Sequence, residues 1–166
     1  MMIPEKVAAR LNEQVKNEMF ASLTYLQMAF CFEDMGLKVF AKWFYKQSDE
    51  EKGHAMKISR YLLDQGATVK LQTMPEPKNK YASAEEIVQA ALNHELNVTK
   101  QVHEIVDLAR SEKDHATDNF IQWKVAEQVE EVNSVTELLN LVKQTQNLGQ
   151  LLMLEGRIYR MVEGRE

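Results

Sequence analysis

Apolar side chains return every three or four positions along four long stretches of this chain. No other feature limits the possible folds as strongly. The first stretch runs from about Glu5 to Asp34, with the seam Leu11, Val15, Glu18, Ser22, Tyr25, Ala29 and Phe32. The second runs from about Leu37 to Gln65, with Phe40, Phe44, Gln47, Glu51, His54, Ile58 and Tyr61. The third begins near Ser83 and carries Val88, Ala91, Glu95, Val98, Val102, Ile105 and Ala109. The fourth begins near Asp114 and carries Ile121, Gln128, Glu131, Val135, Leu138 and Val142. Residues three and four apart share a helix face, so each stretch predicts a helix with one buried stripe. Ser83 predicts an N-cap, with Glu86 completing a capping box.

The connections predict the topology. Short breaks at Asp34–Gly36 and Ser111–Asp114 imply antiparallel neighbours. Residues 66–82 are long and hold Pro75 and Pro77. A helix of ~28 residues spans ~42 Å, and an extended segment of ~15 residues reaches ~50 Å. This link can therefore run the length of the bundle, making the second and third helices parallel. The expected fold class is all-α: a four-helix bundle with one long crossover, in a single domain over residues 1–166. The bundle covers about 5–145, and a short, strongly apolar C-terminal helix about 148–162. That last helix can pack on its own bundle or on copies of the chain.

Charge and cysteine usage exclude several classes. The formal net charge is −5, and no Lys/Arg cluster marks a nucleic-acid face. Cys31 is alone, so no disulfide can form within the chain, which suits a reducing compartment. The N-terminus lacks the apolar core of a signal peptide. No apolar run approaches the ~20 residues needed to span a bilayer. These features predict a soluble, cytoplasmic protein with neither nucleic acid nor membrane as partner.

Each seam is interrupted near its midpoint by polar residues: Glu18, then Glu51 with His54, then Glu95, then Gln128 with Glu131. Midpoints of bundle helices lie at similar depth, so these groups should converge. Buried carboxylates repel one another and lose their hydration. Proton uptake or a bound cation would relieve this. Two divalent ions would balance four ionised carboxylates. Oxygen-rich ligation with one imidazole suits iron or manganese better than zinc. A carboxylate can bridge two ions, so Glu51 and His54 on one face would supply a bridge and a terminal ligand. Glu50, Glu127 and Glu130 lie one residue off the seams. They are either solvated flank charges or a second, weaker metal site.

The segments NEMFASLTYL (17–26), DEEKGHAMK (49–57), NHELNVTK (93–100), EKDHAT (112–117) and FIQWKVAEQVEEV (120–132) carry a resemblance. Over nearly its whole length the chain resembles the prokaryotic non-haem ferritins, within the ferritin-like di-iron carboxylate superfamily. The resemblance implies that Glu18, Glu51 and His54 bind a first iron, with Gln128 close to it. Glu51 would bridge to a second iron bound by Glu95 and Glu131. Glu50, Glu127 and Glu130 match a third, transient iron site. Tyr25 matches a tyrosine beside the iron pair, a possible electron donor, and Trp123 a nearby aromatic. Bacterioferritin and rubrerythrin carry a second Glu-x-x-His where this chain has Gln128 and Glu131. Bacterioferritin also has a haem-ligating Met where this chain has Lys52, so haem is not expected. Met56 and most other methionines read as core fillers, and His94, His103 and His115 as packing or surface residues. Gly53, mid-helix, would allow a neighbouring helix or subunit to approach.

The activity so implied is that of a ferroxidase and iron store. Fe(II) is oxidised by O2 or hydrogen peroxide, and Fe(III) is kept as mineral inside a homo-oligomeric shell of twenty-four subunits. A di-iron peroxidase or oxygenase on the same bundle is the alternative, as is a structural shell subunit without catalysis.

Overall fold

The computed structural model describes residues 2–164. Among these, five helices and no strand occur: α1 (Glu5–Asp34), α2 (Lys38–Asp64), α3 (Ala84–Ser111), α4 (His115–Lys143) and α5 (Leu148–Glu163). The first four follow the four seams. Ser83 Oγ accepts a hydrogen bond from Glu86 N at 3.1 Å, the expected cap of α3. The Glu86 carboxylate reaches back to Ala82 N, one residue earlier than a standard box. Asp114 Oδ1 caps α4 by accepting from Thr117 N at 3.0 Å.

Gly36, at φ 75°, ends α1 in the left-handed region, where a side chain would be strained. Leu37 N then bonds Phe32 O at 2.9 Å, and the chain reverses into α2. Helix α1 packs along α2, and α3 along α4. The crossover follows α1 from end to end. Asn12, near the start of α1, donates to Thr68 O at 3.0 Å and accepts from Lys70 N at 2.7 Å. Cys31, near the end of α1, donates to Asn79 O at 3.6 Å. The link therefore carries the chain back to the C-terminal end of α1 before α3 begins. Helices α2 and α3 run parallel, as the link length predicts.

Two apolar clusters fill the bundle. One holds Tyr25, Phe32, Phe40, Trp43, Phe44, Val88 and Leu138. The other holds Leu11, Val15, Ile58, Val98, Val102, Ile105 and Ile121. The polar midpoint residues lie between them in sequence on every helix.

Helix α5 sits on α2 and α4. It buries Ile158 and Val162 but leaves Leu148, Leu152, Met153 and Tyr159 exposed. Helix α2 has no side-chain cap of its own. Glu155 of α5 supplies one, accepting from Val39 N at 2.7 Å and Phe40 N at 3.3 Å. A carboxylate at a helix N-terminus satisfies free N–H groups and complements the helix dipole. Glu155→Ala is therefore expected to loosen α5 by about 1 kcal/mol, raising its amide hydrogen exchange about fivefold. Unchanged exchange in α5 would show that Glu155 does not anchor it.

The methionine expectation holds for Met28, Met19 and Met35, which lie in or against the apolar clusters, and fails for Met56, Met2 and Met153. Met56 is 60% exposed, and Met2 and Met153 are also outside, while Met28 is buried. Met56 lies two residues past His54, about 200° around the helix from the seam. Gly53 also faces outward, and a Cβ there would meet nothing within 4 Å. No neighbouring helix of this chain requires the glycine.

Candidate metal centre

Helices α1 and α2 bring Glu18, Glu51 and His54 together. One ligand atom from each lies within 4.8 Å of the others. All three are buried, with Glu18 at 0% exposure. Glu18 Oε1 accepts from Gln14 Nε2 at 2.8 Å. Its Oε2 accepts no hydrogen bond, although it is buried. His54 Nδ1 lies 3.2 Å from Glu51 Oε2 and 3.6 Å from Glu18 Oε2. A buried carboxylate oxygen without a donor is costly unless a cation faces it.

The two carboxyls respond oppositely to this setting. Burial alone would raise Glu18, but the Lys124 charge, the adjacent His54 and Glu51 side chains and the Gln14 amide hold it well below the usual carboxylate range. Burial raises Glu51 well above that range, and the Glu18 charge adds to it. Unpaired by metal, the cluster keeps a proton on Glu51 while Glu18 stays ionised.

The second half of the set is built on α3 and α4. Glu95, fully buried, accepts from the Tyr25 hydroxyl and from Gln128 Nε2, the latter at 3.0 Å. Gln128 Nε2 also reaches Glu95 O and Thr99 Oγ1, each at 3.2 Å. Gln128 Oε1 is buried without a partner. Burial and the Glu95 charge raise Tyr25 well above its ordinary value, so its phenol keeps its proton. Glu131 Oε2 accepts from Gln47 Nε2 at 2.8 Å. Burial raises Glu131 against that bond, with Glu95 and Glu50 adding to the effect. The tight group of ligand atoms thus comprises Glu18, Glu51 and His54. Glu95 with Gln128, and Glu131 with Gln47, stand beside it as separate hydrogen-bonded pairs.

Glu50, Glu127 and Glu130 line one cleft of about 450 Å³ with Glu131, Asn133 and Ser134. Glu127 Oε2 lies 3.1 Å from His54 Nε2, so the cleft and the buried cluster meet at the imidazole. The Trp123 ring is 5.4 Å from the His54 ring and lies under Lys57 Nζ at 3.8 Å. His94 packs edge-on against Tyr25 at 5.8 Å, while His103 and His115 face outward. Lys52 is also exposed and takes no place in the cluster.

One member was absent from the predicted seams. Lys124 is fully buried, with Nζ 2.7 Å from His54 Nδ1 and 3.6 Å from Glu18 Oε2. Its position, three past Ile121 and four before Gln128, lies on the α4 seam. A lysine at that register was the available signal. Burial would lower Lys124, but Glu18, Glu51, Glu95 and Glu127 keep it above its ordinary value and charged. Only one proton fits on the 2.7 Å line to His54. The Glu127 carboxylate, 3.1 Å from Nε2, favours a proton on that nitrogen.

These donors suit a hard or borderline divalent cation. Carboxylate oxygens dominate, one imidazole nitrogen points inward, and Glu18 Oε2 and Gln128 Oε1 lack donors.

Comparison with known proteins agrees with this fold. The ferritin-like domain family matches residues 8–145. A bacterial non-heme ferritin of Bacteroides fragilis is 36% identical over 148 residues, covering 89% of this chain and 93% of the relative. The ferritin BfrB of Mycolicibacterium smegmatis is 35% identical over 136 residues, 82% of this chain and 75% of the relative. Among solved structures, an open pore ferritin from Archaeoglobus fulgidus superposes with a TM-score of 0.92. It is 39% identical, over 95% of this chain and 97% of that one.

Proposed function

The chain belongs to the ferritin-like family, and from that premise we propose that it is an iron-storage protein with ferroxidase activity. The convergence of Glu18, Glu51 and His54 inside a ferritin bundle carries this reading. Iron is the substrate. Fe(II) would enter the buried set through carboxylate oxygens, with His54 Nδ1 as nitrogen donor and Glu51 placed to bridge. Glu95 and Glu131 would serve the second ion, after leaving their bonds to Tyr25 and Gln47, with Gln128 close to the pair.

In the overall reaction two Fe(II), one O2 and two protons give two Fe(III) and one hydrogen peroxide. Paired ions let O2 take two electrons without releasing a one-electron radical. Carboxylates favour the higher charge of Fe(III). Glu50, Glu127 and Glu130 would hold a third ion in the cleft outside His54. Tyr25 keeps its phenolic proton against Glu95 and is the candidate electron donor. Hydrogen peroxide is the other possible oxidant. No haem is proposed.

Storage requires more than one bundle. We propose that residues 1–166 act as one ferritin-like domain that assembles with its copies into a hollow shell of twenty-four subunits in the cytoplasm. The apolar face of α5, with Leu148, Leu152, Met153 and Tyr159 exposed, would be covered by other copies. Among the described residues no helix is long and apolar enough to cross a membrane.

Aerobic addition of Fe(II), with oxygen uptake and ferric absorbance followed together, tests the activity. The protein is expected to accelerate both over buffer. No acceleration would reject the ferroxidase and leave a structural shell subunit. Light scattering of the same sample tests the shell.

A further inference from the structure

The pocket assigned to the first iron contains a cation that belongs to the chain. Lys124 Nζ lies 2.7 Å from His54 Nδ1, 3.6 Å from Glu18 Oε2 and 4.0 Å from Glu51 Oε2. The same three residues supply the converging ligand atoms. The ammonium therefore stands where an ion bound by all three would stand. Lys124 is at 0% exposure, and no other lysine or arginine among the described residues is buried.

We propose that Lys124 is a built-in counter-cation that a metal ion must displace. The ammonium faces the otherwise donorless Glu18 Oε2 and keeps Glu18, Glu51 and His54 turned towards one point. A divalent ion in the same place would be repelled strongly by an ammonium a few ångströms away in a low-dielectric interior. Binding at this half is thus an exchange of ammonium for metal, not a simple addition. The exchange weakens affinity, which suits an ion that must move on. It also preorganises the ligands, holding His54 Nδ1 2.7 Å from the ammonium. The proposal rests on the metal-centre reading, but it concerns binding and needs no oxidation chemistry.

Anaerobic titration with Co(II), whose visible bands report its coordination, separates the two. Lys124→Met and Lys124→Gln remove the charge at similar length. Both are expected to bind Co(II) at the cluster at least tenfold more tightly than the wild type. Adding Glu51→Gln should abolish that gain. Lys124→Arg, which keeps a cation, should bind no more tightly than the wild type. The apo forms of the neutral variants should melt at lower temperature, because Glu18 loses its counter-charge. If one neutral variant does not fold, the other and the arginine variant still decide the question. Clear Co(II) binding with equal or weaker affinity in the neutral variants would overturn the role of Lys124 alone. Absence of cluster binding in every variant would overturn the metal centre as well.

Discussion

Glu51→Gln is expected to slow the fast oxidation of Fe(II) by at least about 100-fold, with the helical bundle intact. Glutamine keeps the size of the side chain and loses the anionic oxygen proposed to bridge two ions. The fold should tolerate the change well. Glu51 is 1% exposed, and burial and Glu18 already favour its neutral form. An amide resembles that neutral form and removes the repulsion from Glu18. Stopped-flow ferric absorbance reads the activity, and circular dichroism the fold. A rate within a few-fold of the wild type would remove Glu51 from the bridging role. Loss of both activity and helicity would show that the charge is needed for folding.

Phe44→Ala is expected to cost about 3–5 kcal/mol of stability. The Phe44 ring is fully buried and lies 4.8 Å from Phe32, 5.0 Å from Trp43 and 5.8 Å from Tyr25. Truncation leaves a cavity among rigid aromatic neighbours, which close poorly around it. Phe44 also packs against Tyr25, which donates to Glu95, so the cavity should disturb the second half of the site. Denaturant unfolding of the apo-protein, at one protein concentration, measures the loss. A loss below about 1.5 kcal/mol would mean that the aromatic cluster repacks around the gap.

The long helices were legible because their signal is local and repeated. The seam from Leu11 to Phe32 is buried throughout, as is the seam from Val88 to Ala109. Ser83 and Asp114 cap where a short polar side chain before a periodic run predicts. The candidate site was legible for a related reason. Carboxylates such as Glu18 and Glu95 break an apolar seam, and the break shows in one dimension.

What escaped depends on contacts between helices. Lys124 also breaks a seam, but a lysine is ordinarily read as reaching for water. Its burial is set by Glu18, Glu51 and His54 on two other helices. Nothing in the sequence marks Glu155 as a cap for α2, because its partners, Val39 N and Phe40 N, lie far back in the chain. Met56 was assigned to the core by residue type, although its register places it opposite His54. The convergence of Glu18, Glu51 and His54 was predicted. The resting bonds of Glu95 to Tyr25 and of Glu131 to Gln47 were not, because they depend on side-chain rotamers.

Each chain is expected to oxidise iron in pairs at its own buried centre. Apo-protein mixed with increasing Fe(II) under excess O2, in a stopped-flow instrument, tests it most directly. The amplitude of the fast ferric phase is predicted to rise and saturate at two iron ions per chain. A fast phase that grows without saturating, or that saturates at one ion, would contradict it.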